Sequence, residues 1–411
     1  MRRLLIVTLL LAAGISSHAC AKTYDVPSVG FPTIQSGVDS AAAGDTVLVA
    51  PGSYNENIMM KDGVALLSSG GRDVTLIQPE DSDEPIMRCH DLGSSTLISG
   101  FTLQGGRSIV GAGMFCLRSS PRVLRNKFTG NQGDWGVGIT CREGSSVLIS
   151  ENLFEDNTAN EWGAGVYSLG SSPTIQYSEF RRNQAQFGGA VGARDESHPY
   201  ITGNTFAENT SSWQGGAVYL NGTGSGVVQN STFLSNTAAG SGGGVCLLYG
   251  TYTVQSNLFY DNSADYGGGV AIGEGCNLGC YLNTFYGNRA DLRGSSVSCS
   301  DASQADFYNN IFANSLDVAA IGCLPTVTSA LDCNDFWGNA ADYLDCSPGA
   351  TDFYEDPLFC DPAVLDFELQ ACSPCVDGYG CGWVGAYPVG CPCGGVATEP
   401  TTWGGIKAMY R

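Results

Sequence analysis

An all-β fold, a single right-handed parallel β-helix solenoid of about 26 residues per coil, is what the amino-acid sequence predicts. Three observations carry that reading. A Phe marker falls at Phe101, Phe128, Phe154, Phe180, Phe206, Phe233, Phe259, Phe285, Phe312 and Phe336, at intervals of 27, 26, 26, 26, 27, 26, 26, 27 and 24. Three positions behind it recur Asn131, Asn157, Asn183, Asn209, Asn236, Asn262, Asn288 and Asn339. Each unit then passes through a Gly-rich turn, as in "GAGV", "GGAV" and "GGGV", that ends at Val166, Val218 and Val245 among others.

A period of this length means stacked supersecondary units. Short alternating runs such as "SPTIQYSEF" read as strands, and no ten-residue stretch of a unit has helical periodicity. Leucine-rich repeats share the length, but their Leu-x-x-Leu-x-Leu frame is missing, and hexapeptide helices need a period of six. Coils stacked at about 4.8 Å would lay Phe over Phe in a buried file. Asn over Asn would let each amide donate to the next while its remaining groups bond turn backbone. The Gly pair lets backbones approach closely at a turn.

In chain order, residues 1–21 read as a secretory leader. Arg2 and Arg3 form the positive end, an apolar run over 4–15 is too short to span a bilayer, and Ala19-Cys20-Ala21 makes an A-x-A site. Cleavage before Cys20 with lipidation is the rival, for which "SSHAC" is a poor lipobox. The expected location is therefore outside the cell or on its surface. Residues 22–75 hold an N-terminal cap and the first coils, with Thr33 N-capping a short helix over 34–42. The repeat fills 76–345. Residues 346–395 lose the period and become Cys- and Pro-rich, as a C-terminal cap should, and 396–411 form a linker and a "TEPTTWGGIKAMYR" ending that is either a sorting tail or a frayed terminus.

Export changes how charge and cysteine read. Of 19 basic residues the leader takes Arg2 and Arg3, leaving 17 against 40 acidic ones, a net of −23. Phosphate backbones would be repelled, which argues against a nucleic-acid partner. Without Cys20, 16 of the 17 cysteines remain, an even number in an oxidising compartment. Two places past the Gly-turn aliphatic, one inward file holds Cys116 over Cys141 and Cys299 over Cys323; each pair is either a disulfide or a stack of buried thiols. Cys89 could top the first file and Cys346 continue the second. Cys372, Cys375, Cys381, Cys391 and Cys393 read as disulfide partners, with zinc as the rival that lacks a histidine.

The units "NLFEDNTANEWGAGVY" and "NTFAENTSSWQGGAVY" resemble right-handed parallel β-helix repeats of the pectin-lyase-like superfamily, in a form close to that of polymorphic outer-membrane proteins. "TIQSGVDSAAAGDTVLVAPGSYNENI" is similar to the capping helix and first coil of that superfamily, pectin methylesterases included. "DPLFCDPAVLDFELQACSPCVDG" followed by "VGAYPVG" resembles a block that closes secreted bacterial β-helix proteins carrying surface anchors. The resemblance spans residues 24–390 and implies an architecture more than an activity.

It does make a carbohydrate-active enzyme, a polysaccharide lyase or glycoside hydrolase, a serious alternative. Chemistry for one is thin. Lys127 is the only Lys within the coils, Arg181, Arg182, Arg289 and Arg293 read as solvated turn residues before they read as a catalytic base, and His90 and His198 have no Asp-rich series around them. Asp134 and Glu161 fall just before the Gly pair of successive coils, with Asp265 in the same place further along; they read first as solvated turn acids, and otherwise as a carboxylate pair or Ca²⁺ ligands, though no calcium loop is present. Beside them stand Trp135, Trp162, Phe187, Trp213 and Tyr266, which make either a ladder of rings for sugar faces or a filled corner of the core. The expected role is non-catalytic: adhesion, envelope structure or carbohydrate binding, with extracellular polysaccharide or cell-surface components as partners and no cofactor.

Overall fold

The computed structural model describes residues 21–222 and 224–394. The expected leader as far as Cys20, and the expected sorting tail, lie outside the described residues. Every coil gives one strand each to three parallel sheets: A with 13 strands, B with 12 and C with 12. A fourth sheet, D, has seven strands from Gln132–Trp135 to Arg289–Arg293 and lies between B and C in each coil. One coil shows the plan: Thr174–Gln176 in A, Glu179–Arg181 in B, Gln184–Phe187 in D and Val191–Arg194 in C.

The three sheets enclose one apolar core. From Phe128 to Phe336 nine rings stand face to face, with centroids 4.6–4.9 Å apart. Phe101 is outside this file, because Leu103 pairs with Phe128. Phe101 is buried one corner earlier, where its N–H donates to Asn126 Oδ1 at 3.0 Å.

Behind the rings, Asn131 to Asn288 form an unbroken ladder. Asn183 Nδ2 donates to Asn209 Oδ1 at 3.0 Å, Asn209 Nδ2 to Asn236 Oδ1 at 2.9 Å, and each amide from Asn157 onward also donates to a Phe carbonyl one coil back, Asn131 to that of Leu103. Ser315 breaks the file, and Asn339 resumes it by accepting from the Ser315 N–H at 2.9 Å. A second ladder turns the corner from A to B. It runs through Asn126, Asn152, Asn204, Asn257, Asn283, Asn310 and Asn334, with Ser178 and Ser231 substituting. The motif begins with that Asn in most units, so its signal lay in the "N-x-F" text itself.

The Gly turns are compulsory rather than preferred. A Cβ on Gly216 would sit 2.1 Å from the Gly243 carbonyl oxygen and 2.7 Å from that of Thr237, both backbone. At the N-terminal end, helix α1 (Ile34–Ser40) closes the first coil and stops two residues short of the expected end. Thr33 Oγ1 accepts from the Ser36 N–H at 3.1 Å while Ser36 Oγ accepts from the Thr33 N–H at 3.2 Å. The Glu56 carboxylate takes the next two free donors, on Ile34 and Gln35, at 2.9 Å each. Among the described residues no helix is long and apolar enough to cross a membrane.

Of the two readings left open for the inward cysteine file, disulfides or buried thiols, the structure has thiols at Cys116, Cys141 and Cys299. Cys116 pairs in register with Cys141, and Cys89 with Cys116, yet all three are buried thiols. In-register neighbours of a parallel sheet project parallel Cα–Cβ bonds, so their Cβ atoms stay near the strand spacing of about 4.8 Å instead of converging to the roughly 3.8 Å a disulfide needs. Cys299 is likewise free, and Cys323 instead bonds Cys346, which lies beyond the end of the last sheet C strand, Tyr343–Leu344, where the chain leaves the register. Three further disulfides join Cys333 to Cys381, Cys360 to Cys391 and Cys372 to Cys393. Cys375 is left out of them: it is a buried thiol whose Sγ donates to Asp335 Oδ2 at 3.2 Å.

The Cys-rich segment covers the last coil, where Phe353 bridges to Asp335 and its N–H donates to the Asn334 carbonyl at 2.9 Å, and then runs on as a brace along the flank. Its three-stranded sheet (Phe359–Asp361, Asp366–Gln370, Val389–Cys391) packs on the outer face of sheet B. Phe367 meets Tyr260 at 5.7 Å and Tyr286 at 5.0 Å, and the N–H groups of Gly385 and Ala386 reach Asn309 O and Thr284 Oγ1 at 2.8 and 3.0 Å. The buried cluster so formed runs from Ala207 and Leu234 to Ala313. Its aliphatic and aromatic positions on the outward face of a parallel sheet are what a second layer has to cover.

Candidate functional site: a groove on the outer face of sheet C

Sheet D folds over sheet C, which explains why outward-facing residues of C are buried. Tyr167 and Tyr219 are 3% and 2% exposed and cluster with Cys246 and Ala271 beneath sheet D. Gly192 lies between the two tyrosines in the file and leaves room for their rings.

The aromatic positions do not form a single ladder. The file in register reads Val110, Trp135, Trp162, Phe187, Gln214, Ser241, Tyr266, Arg293. Trp162 stacks on Phe187 at 4.4 Å, both rings lean on Tyr219, and the Arg194 guanidinium lies 4.4 Å from the Trp162 centroid. These rings fill a corner, with Trp135 partly buried against them. Trp213 is one residue out of the file, because the strand Thr210–Gln214 has five residues against four in Gln184–Phe187. It is 55% exposed, and Tyr266 is 41% exposed.

The same kind of bulge separates the two carboxylates. Thr158–Trp162 has one residue more than Gln132–Trp135, and the register shifts between Gly133 and Trp135. Asp134 Oδ1 therefore accepts from Asn160 Nδ2 at 2.6 Å, while Glu161 Oε2 accepts from the indole N–H groups of Trp135 and Trp162 at 2.9 and 3.2 Å. Glu161 is thus engaged by the two indoles and Asp134 by Asn160.

Beyond Tyr219 the side chains shrink, and a groove of about 390 Å³ opens. Its floor is Cys246, Leu248, Ala271 and Ser298; one wall is Gln214, Ser241, Tyr266 and Arg293; the other is Glu274 and Asp301. Arg293 Nη1 is anchored on the Cys323 carbonyl at 2.8 Å, and Ser300 Oγ donates to Asp301 Oδ2 at 2.8 Å. A hydrogen bond to Glu274 pushes the neighbouring Tyr249 phenol up. The groove thus offers one exposed ring, a fixed guanidinium, two carboxylates and small polar groups over an apolar floor. Sequence reasoning singled out Tyr266 and Arg293 but not their neighbours, which belong to no repeated motif. Among the described residues no three His, Cys, Asp or Glu side chains converge as metal ligands.

The right handed beta helix region family matches residues 91–210 and 189–341, and the chain belongs to it. No curated protein matches the chain in sequence. Among solved structures it is similar to the A-module of the mannuronan C-5 epimerase AlgE6 of Azotobacter vinelandii, at 13% identity and a TM-score of 0.39, covering 81% of this chain and 98% of that one. The catalytic unit of the GH87 α-1,3-glucanase of Streptomyces thermodiastaticus strain HF3-3 shares 13% identity at a TM-score of 0.42, over 78% of this chain and 66% of that one. A Family 28 exopolygalacturonase of Yersinia enterocolitica shares 10% at 0.34, over 82% and 78%. Likeness at this level transfers no residue role.

Proposed function

We propose that this protein is an extracellular, non-catalytic β-helix that binds carbohydrate in the groove on sheet C. The observation that carries the proposal is an exposed ring, Tyr266, next to a backbone-anchored Arg293 along one wall of a groove with an apolar floor. A pyranose offers an apolar face for the ring and hydroxyls for Arg293, Glu274 and Asp301. Four disulfides fit an oxidising compartment. Surface polysaccharide is the partner this chemistry suits.

Glycan-array binding with the full chain tests this. Tyr266→Ala should cut binding about five- to tenfold with the melting curve unchanged. Equal binding by wild type and variant removes the groove as the site. Release of product from a polysaccharide, abolished in Asp134→Asn, would replace the binding role with a catalytic one.

A further inference from the structure

A second recess, of about 1040 Å³, lies on the opposite side of the rod, where sheet A turns into sheet B. It shares no residue with the sheet C groove. We propose that this trough binds an anionic glycan, a sugar chain carrying carboxylate or sulfate groups, through Arg72 and Tyr177. The inference does not depend on the sheet C groove.

Charge is the first support. The chain carries a net −21, yet two of its 19 basic residues, Arg72 and Arg125, line this recess, and Arg181 reaches Glu179 on its floor. Arg125 and Arg181 are neutralised locally. Arg125 meets Glu151 at 3.2 Å, Lys127 and Arg181 each meet Glu155 at 2.8 Å, and Arg182 meets Asp156 at 2.9 Å. Burial alone would raise the Glu155 carboxyl, but hydrogen bonds from Lys127 and Arg181 outweigh it and hold it at about 2.

Arg72 acts on the Glu179 carboxylate only through space and closes no ion pair with it. Its Nη1 donates to the carbonyls of Asn126 and Glu151 at 3.3 and 3.2 Å, and it has no ion pair among the described residues. Its Nε and Nη2 make no hydrogen bond among the described residues, so one edge of the fork is open to a planar anion. The turn that presents it is fixed. Gly71 adopts φ +86, Ser68 Oγ accepts from the Gly70 and Gly71 N–H groups at 3.2 and 2.9 Å, and Thr102 Oγ1 donates to the Arg72 carbonyl at 2.7 Å.

Tyr177 is the second support. It occupies the left-handed corner position, at φ 48, in a file that also holds Gly100, Arg125, Glu151, Gly203, Asn230, Ser256, Leu282, Asn309 and Cys333, and it is the one aromatic residue there. A bulky ring in that conformation is uncommon and unfavourable. It lies on Gly203, where a Cβ would come within 2.8 Å of two ring carbons, so any other residue would lift it. The ring is 65% exposed and offers its free face to the trough. Glu179, on the floor, is held by Arg181 at 3.2 Å and can accept from a sugar hydroxyl.

The test is affinity electrophoresis and calorimetry of the full chain against polygalacturonate, chondroitin sulfate and unsubstituted dextran. Wild type should bind at least one charged polymer and not dextran, and which charged polymer it binds distinguishes carboxylate from sulfate. Binding should weaken as salt rises from about 50 to about 500 mM. Arg72→Gln should lose about tenfold in affinity, Arg72→Lys less, and Tyr177→Ala about fivefold, with circular dichroism unchanged. Tyr266→Ala, on the other face, should bind like wild type. The proposal falls if wild type binds neither charged polymer, if the Arg72 and Tyr177 variants bind like wild type, or if only Tyr266→Ala loses binding.

Discussion

Asn209→Ala should be among the more damaging single changes in the coils. The residue is fully buried, and its Oδ1 accepts two bonds, from Asn183 N and Asn183 Nδ2, both at 3.0 Å. Its Nδ2 donates to Phe180 O and Asn236 Oδ1, both at 2.9 Å. Alanine leaves two buried donors of Asn183 without a partner, while Asn236 Oδ1 still accepts the Asn209 N–H at 3.0 Å. Each orphaned donor costs about 1–3 kcal/mol, so the loss is about 2–6 kcal/mol, at the lower end if water enters the gap. Asn339→Ala is the control: that residue is only partly buried, accepts one bond from Ser315, and should cost about 1 kcal/mol. Guanidinium unfolding followed by fluorescence and far-UV circular dichroism gives both midpoints on one m value. If Asn209→Ala and Asn339→Ala agree to within about 0.5 kcal/mol, the ladder is a consequence of stacking and not a cause of it.

Other outcomes follow from the brace, the turns and the cysteines. Burial, only partly offset by hydrogen bonds from Cys375 and the Glu355 N–H, pushes Asp335 up to about 7. The unfolded chain loses this proton near pH 4 while the folded one keeps it to about 7, so stability falls as pH rises through that window, by about 4 kcal/mol for this group; urea titrations of Asp335→Asn at pH 4 and pH 8 should lack that share of the decline. Gly216→Ala forces a Cβ onto two backbone carbonyls and should cost about 1–3 kcal/mol or more in a thermal melt, whereas Gly378→Ala, with only Pro374 in ordinary contact at 3.6 Å, should cost little. Non-reducing peptide mapping should recover the Cys323–Cys346, Cys333–Cys381, Cys360–Cys391 and Cys372–Cys393 links, with Cys116, Cys141 and Cys299 as thiols. A Cys116–Cys141 bond in that map would contradict the parallel-vector account.

What repeats in the sequence is what touches its own equivalent one coil away, and such contacts were legible: the Phe file, one Asn ladder and the Gly turns all have periods. Phe101 shows the limit, since a spacing of 27 fits the period while its backbone sits a corner early. Contacts between unlike positions leave no period. Cys375 meets Asp335 and Ala386 meets Thr284 across 40 and 102 residues, and no motif marks either pair. The sheet C groove was hidden for a related reason: it exists because Tyr219 gives way to Cys246, Ala271 and Ser298, a gradient along the file visible only once the register is known. Bulges of a single residue moved Trp213 and Glu161 away from the places that counting assigns them.

The brace also sets an order of events during synthesis. Coils can wind up from α1 as they leave the ribosome, each templated by the one before. Leu234, Leu258, Tyr260 and Ile311 then face outward on a finished sheet with nothing over them until the last fifty or so residues arrive. A chain stopped near Trp337 would keep its rungs and still be sticky, so premature termination here yields a well-wound product that clumps rather than one that unravels.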